Sequence, residues 1–495
     1  MTVVMPAVRR WRASPWVVAA GISLHGRRAG TLRAVSAIRK FWDEIQEIFD
    51  PELPVEEPAL FAERDREYNP LARLEKLLKR PTQLNCKYLV AGTVGNGKTS
   101  ELNHLGVVLS KHRTIIQLDL WRHFQASVGD PAALSRLDPW ELLGLLGLAI
   151  YRAGAERLGH TWKGEQDTLQ KVLEELRKVD QGDGPSIDIP RLAKGMVVAA
   201  SSAAGAVVGG LPGALAGSKV AGTALTMLGA TVDSTSWSWK IGTVKKHRED
   251  QEVRGVLNAV NAMIMALQAE YGHRLLLLVD GLDRADAARI RTLFVDSALL
   301  GELVCDAVWI APGAVQLLEN NIRGFELQEL CNVPVLLRAD PSKPGRGLEF
   351  FRSLVTKRLA QVRKQVTGAP PEPFPDPLVD RLAYYSGGVS RDFVRMVRMA
   401  AGEAWEAEAV ALTPEIVEFT LREARRLKEA QMNSEEIQLL ERLMLDPSHM
   451  RPPGPVAAAL AAQQRMLAYP NETTWYYPHP LLTLKLLNPG RGSLD

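Results

Sequence analysis

The chain is poor in cysteine, and that narrows it first. Cys86, Cys305 and Cys331 are its only three cysteines in 495 residues. With no CxxC pair and no even-numbered framework, a disulfide scaffold and a zinc ribbon are both excluded. His479 has no Cys or His neighbour at ligand spacing, so no zinc site is expected there. The thiols read as buried residues of a reducing compartment, Cys86 and Cys305 beside core strands. An excess of either charge is also missing: 60 Lys and Arg stand against 57 Asp and Glu, a net of +3. That balance by itself implies neither a nucleic-acid nor a membrane partner. The composition, 46% apolar and 24% charged, is that of an ordinary soluble globular protein. The length calls for roughly two to four domains.

Two local absences stand out. Residues 1–42 contain no Asp or Glu but carry Arg9, Arg10, Arg12, Arg27, Arg28, Arg33, Arg39 and Lys40. Pro15 to Leu24 is a short apolar run with no small-residue cleavage site after it. The segment reads as a flexible basic leader, with a signal or transit peptide, or an Arg-rich arm on anionic surfaces, as alternatives. The second charge-free stretch is Met196 to Ser218, with small residues at Ser201, Gly205, Gly209, Gly213 and Gly217. Such spacing lets membrane helices approach closely, and the length would span a bilayer. Against this, Ala and Gly contribute little transfer free energy, Pro212 interrupts the run and Lys219 follows it. Val220–Thr231 is again uncharged. The favoured reading is a Gly/Ala-rich insertion at about 160–245 that packs on a neighbouring subunit or orders on activation. Membrane contact through 196–218 is the alternative. Lys245-Lys246-His247-Arg248, answered by Glu249, Asp250 and Glu252, reads as a solvated helix start.

What the chain does contain is Lys87-Tyr-Leu-Val-Ala-Gly-Thr-Val-Gly-Asn-Gly-Lys-Thr-Ser100. Gly92-x4-Gly97-Lys98-Thr99 is a phosphate-binding P-loop, with an apolar run before it and a helical pattern after it. Gly92, Gly95 and Gly97 let the backbone curl so that successive N–H groups converge on one anion. Thr93, Val94, Asn96 and Ser100 complete the nucleotide-binding loop. The helix beginning near Lys98 adds its positive end. Lys98 reaches the β- and γ-phosphates, and the Thr99 hydroxyl is placed to ligate Mg²⁺. A second motif is Arg274-Leu-Leu-Leu-Leu-Val-Asp-Gly-Leu-Asp283. An apolar run ending in an acid is a buried parallel strand with a carboxylate at its C-terminal edge. Asp280 is thus the Walker B candidate for Mg²⁺, and Asp283 the candidate that polarises the attacking water.

Around these anchors the chain divides into a leader and N-terminal helix (1–50), a P-loop core (51–340), a helical lid (341–430) and a C-terminal module (431–495). Pro51, Pro54 and Pro58 mark the first linker, and Phe61–Leu78 is a charged turn leading into an amphipathic helix. Further strands are expected at Thr114–Leu120, Cys305–Ala311 and Val333–Leu337. Helices are expected at Pro139–Leu158, Gln166–Val179, Leu348–Val362, Pro377–Tyr385, Arg391–Ala407, Pro414–Lys428 and Ser434–Leu445. The fold class is therefore α/β, a three-layer α/β/α P-loop NTPase with a parallel sheet, a helical lid and a small winged-helix-like C-terminal module. Trp475-Tyr-Tyr-Pro-His-Pro480 reads either as an exposed docking surface or as a packed strand and turn of that module.

From Phe61 to Ala407 the order of parts resembles the AAA+ superfamily, particularly its initiator-like and STAND branches. Asp-Gly-Leu-Asp looks like a NACHT-type Walker B, and Ser386-Gly-Gly-Val-Ser-Arg-Asp-Phe-Val-Arg395 like a lid segment carrying a sensor 2 arginine. The resemblance implies ATP and Mg²⁺, a regulatory ATPase whose nucleotide state is coupled to homo-oligomerisation or switching, a protein effector and a cytoplasmic setting. It implies Arg391 at the γ-phosphate, where a guanidinium fork can bind phosphate bidentately. Two departures imply slow or assembly-dependent hydrolysis. Gly281 replaces the Glu of the common Asp-Glu Walker B, and Ala311-Pro312-Gly313 occupies the usually polar sensor 1 position. An arginine finger in trans would fit, with Arg323 the positional candidate. Roughly 150 residues separate the second and third strands, far more than a minimal core needs. KAP-type NTPases, which insert membrane segments there, look similar. The remaining alternatives are a nucleotide-gated scaffold with negligible turnover and a DNA-loading ATPase. No NKxD-type guanine reader occurs, so ATP is expected over GTP.

Overall fold

The computed structural model describes residues 24–80, 85–122, 136–179, 186–188, 198–201, 238–240, 251–313, 315 and 322–487. Its centre is a sheet of β1 (Lys87–Gly92), β2 (Thr114–Asp119), β4 (Val198–Ser201), β6 (Leu275–Asp280), β7 (Asp306–Pro312) and β8 (Glu326–Glu329), with the apolar runs of β1, β2, β6 and β7 at its middle. The order is β4-β2-β6-β7-β1-β8. All pairings are parallel except that of β4, which runs antiparallel to β2 at one edge. β1 and β6 are buried along their whole length, as strands covered on both faces must be.

The period of two along each strand sorts side chains into two layers. Leu89, Ala91, Leu277, Val279, Ala307 and Trp309 face one core, closed by the helices Pro139–Arg152, Glu165–Val179, Gln251–Tyr271 and Ala287–Phe294. Tyr88, Val90, Leu276, Leu278, Val308 and Ile310 face the other, closed by Pro70–Leu78 and Lys98–Leu109. The three-layer α/β/α expectation therefore holds. Local signals set the helix starts. Asn69 caps Pro70–Leu78, Asp138 and Glu141 form a capping box, and proline occupies the first turn of both helices.

One sequence expectation needs correction. The outer strand beside β1 is β8, not Val333–Leu337. Glu326-Leu-Gln-Glu329 is a polar, half-buried edge strand and so lacks the apolar run of its neighbours. Only Leu336–Leu337 of the expected segment is a strand (β9), paired antiparallel with β10 (Asp340–Pro344) outside the main sheet, and Pro334 precedes it. In the insertion, Val198–Ser201 is an edge strand, and Ser186–Asp188 (β3) pairs with Ser238–Lys240 (β5). The rest of Met196–Ser218, all of Val220–Thr231 and Lys245–Arg248 lie outside the described residues. Among the described residues, no helix is long and apolar enough to cross a membrane.

Beyond β10 the chain is helical: Leu348–Gln365, Asp376–Tyr385, Ser390–Glu406 and Pro414–Glu429. These pack around Phe351, Phe393 and Val397 together with Phe41, Trp42 and Ile45 of the Leu24–Ile48 helix. The N-terminal helix thus belongs to the lid's core; Trp42 Nε1 donates to the Ala409 carbonyl at 2.7 Å. The last segment comprises Ser434–Leu445, Pro455–Ala462 and an antiparallel ribbon of β11 (Met466–Tyr469) and β12 (Trp475–Pro478). Trp475 is buried and stacks on Tyr469 at 4.9 Å, so the aromatic cluster is mainly packing.

Candidate nucleotide site

β1 delivers the P-loop, and the loop's shape follows from its glycines. Gly95 and Gly97 adopt φ of +84° and +89°, a region closed to most side chains. Lys98 opens the following helix and is 3% exposed. Its Nζ donates to the carbonyls of Gly92 (3.0 Å) and Thr93 (2.8 Å) and lies 3.5 Å from Asp283 Oδ2. Burial lowers the Lys98 pKa, against the pull of Asp283 and Asp280.

The acids arrive from two adjacent strand ends. β2 and β6 run in register, so Asp119 is the direct partner of Asp280. Asp280 is buried; burial first, then Asp119 and Asp283, push its carboxyl up to about 7, while bonds from Thr99 and the Gly281 N–H oppose the rise. Burial also raises Asp119, which accepts from the Arg122 N–H at 3.0 Å. Thr99, Asp119, Asp280 and Asp283 offer oxygen donors only, the chemistry of a hard divalent cation. Among the described residues, no group of three or more acids, His or Cys forms a ready-made cage. A cation here would therefore complete its shell with phosphate and water, as Mg²⁺ does.

The lid reaches the loop from the other side. The Arg391 N–H donates to the Gly95 carbonyl at 2.9 Å, and Val333 donates to Gly388 at 3.1 Å, fixing the turn that starts the Arg391 helix. A cavity of about 480 Å³ lies between core and lid, lined by the P-loop, Asp119, Asp280, Asp283 and Arg391. Leu53, Phe61, Leu354 and Val394 are among its apolar lining residues. The linker is tied to the loop, with Val55 N–H donating to Ser100 Oγ at 3.0 Å.

The expected residues Gly95, Gly97, Lys98, Thr99, Ser100, Asp280, Asp283 and Arg391 thus line one cavity. Gly92, Thr93 and Val94 line a neighbouring cavity of about 310 Å³ shared with Asp283 and the C-terminal module. Asn96 is buried, its Nδ2 donating to the Leu330 carbonyl. Arg323 is exposed and outside the cavity, its N–H bonded to the Phe294 carbonyl at 3.0 Å. In the Ala311-Pro312-Gly313 stretch, Ala311 and Pro312 are the register partners of Ala91 and Gly92.

Three contributors were not singled out from sequence. Asp119 had a readable signal, since Thr114-Ile-Ile-Gln-Leu-Asp119 repeats the apolar-run-plus-acid grammar of β6. Arg64, one of several charges in its turn, had none. It is buried and pairs with Glu101 at 3.1 Å. It also donates to the carbonyls of Asn96 and Cys331 (3.2 Å) and to Ser390 Oγ (3.3 Å), joining loop, core and lid. Gln464 of the C-terminal module donates to the Val94 carbonyl.

No family model matches the sequence, and no curated protein does. Among solved structures the chain is similar to Drosophila ORC bound to DNA, at 13% identity over 89% of each chain with a TM-score of 0.35. It is similar to Cdc6p from Pyrobaculum aerophilum at 12% identity, over 89% of this chain and 96% of that one, with a TM-score of 0.35. For the Aeropyrum pernix ORC2 protein in its ADP form the values are 13%, 88% and 94%, and 0.38.

Proposed function

We propose that the chain is an ATP-binding, ATP-hydrolysing regulatory ATPase of AAA+/STAND-like design, in which nucleotide state is coupled to lid position and assembly. One observation carries the reading: a single cavity is lined by the P-loop lysine, the strand-end acids and a lid arginine whose backbone is bonded to the P-loop. A triphosphate would replace the carbonyl partners of Lys98 with β- and γ-oxygens, while N–H groups of the loop and helix start hold the rest. Thr99 and Asp280 would hold Mg²⁺, which supplies neutralisation of charge on the β- and γ-oxygens. Arg391 would add its fork to the γ-phosphate, so loss of that group would loosen the lid. Asp283 and Asp119 are the acids available for polarising water. Steady-state phosphate release tests this: turnover above background that is lost in Asp280→Asn supports it, and none at any chain concentration rejects the hydrolytic half.

A nucleotide-gated scaffold with negligible turnover is the second reading. Gly281 and the apolar Ala311-Pro312 favour it, because neither can polarise water or hold a γ-oxygen through a side chain. Tight ATP binding without phosphate release would select it.

A further inference from the structure

The Walker B strand cannot carry a second acid at residue 281. Gly281 has φ +93°, and a Cβ there would lie 2.3 Å from Trp121 N and 3.1 Å from Leu120 N. The backbone filling that space is the continuation of β2, the strand that ends in Asp119. The two strand ends are locked together. Arg284 stacks over Trp121 at 4.2 Å, and Asp119 and Asp280 are register partners. Asp283 meanwhile serves as counter-ion to Lys98 at 3.5 Å. Asp119 is aimed by the Arg122 N–H (3.0 Å) and by its ion pair with Arg122 Nε (3.5 Å), and Arg122 is itself held by Glu56 at 3.3 Å. The Asp119 side chain remains 24% exposed and lines the same cavity as Lys98, Thr99 and Asp280.

From this geometry we infer that Asp119, on the neighbouring strand, is the catalytic carboxylate that activates the attacking water. The inference rests on the hydrolytic reading above. In the step, the water oxygen bonds to the γ-phosphorus as the bond from that phosphorus to the β,γ-bridging oxygen breaks. ADP leaves with the electron pair, and the water proton passes to the Asp119 carboxylate, then to phosphate or solvent. Asp283 keeps the Lys98 ammonium in place. The close approach that excludes a side chain at Gly281 is also what brings in the substitute acid.

The test compares wild type, Asp119→Asn and Asp119→Glu in three measurements: MgATP affinity from a fluorescent ATP analogue, phosphate release, and the identity of nucleotide extracted after incubation with ATP. Asp119→Asn should bind within about threefold of wild type, release phosphate about 100-fold more slowly and retain ATP where wild type holds ADP. Asp119→Glu keeps the charge and should turn over faster than the Asn variant. Wild-type turnover in Asp119→Asn overturns the assignment, as does a loss of affinity that accounts for the whole loss of rate. A wild type that binds ATP without releasing phosphate overturns the hydrolytic reading itself, and the assignment with it.

Discussion

Arg391 and Gly95 are joined by a backbone hydrogen bond of 2.9 Å, and a Cβ on Gly95 would sit 2.8 Å from the Arg391 Cβ. The lid helix therefore starts on the P-loop, and only glycine permits the contact. Gly95→Ala should cost about 1–2 kcal/mol for the left-handed backbone alone, before the clash. The clash should push the lid off the loop, lowering ATP affinity by about tenfold or more. Nucleotide titration of the variant checks this; unchanged affinity would show that the contact is incidental.

Arg64 and Glu101 form a buried pair at 3.1 Å that also anchors Asn96, Cys331 and Ser390. Arg64→Ala strands the Glu101 carboxylate, whose pKa burial already raises. The expected destabilisation is about 3–5 kcal/mol, measured as a lower urea midpoint. Asn69 also donates to Glu101, at 2.8 Å. Arg64→Ala with Glu101→Gln should recover part of the loss, because no buried charge then lacks a partner.

The junction of lid and C-terminal module should weaken in acid. His479 is fully buried 3.4 Å from Asp392, which accepts from Lys428 at 2.8 Å. Burial, then Lys428, lowers the imidazole from 6.5 to about 4 despite Asp392. The unfolded chain takes up its proton at higher pH than the folded one. Stability is thus full above pH 6.5 and falls as the pH drops toward 4. The loss approaches about 3 kcal/mol. Melting curves at pH 7 and pH 5 should show a lower Tm at pH 5, with the difference reduced in His479→Gln. An equal or higher Tm at pH 5 would contradict the account.

The proposed trans finger, Arg323, is exposed on the β7–β8 connection and does not line its own chain's cavity. Arg323→Ala should reduce turnover at assembling concentrations and leave ATP affinity unchanged. Rate against chain concentration, with light scattering in a non-hydrolysable analogue, checks both. A proportional loss at every concentration would remove the trans role.

Much of the site was legible because its chemistry is local in sequence. The P-loop spacing fixes a strand, a turn and a helix start within one stretch, and Leu275–Asp280 states burial and acid placement together. What escaped depends on partners distant in the chain. Glu326–Glu329 is a strand only because β1 offers it an edge. The role of Arg64 rests on Glu101, Cys331 and Ser390, none near it in sequence. Asp119 matters only once the register places it beside Asp280.

The central claim is that Lys98 and its loop hold a triphosphate. Calorimetric titration of MgATP into wild type and Lys98→Ala tests it most directly. The account predicts one ATP per chain in the wild type and a loss of about 100-fold or more in affinity for the variant, because a buried phosphate counter-charge is gone. Equal affinity in the two proteins, or no binding to the wild type with Mg²⁺ present, would contradict it.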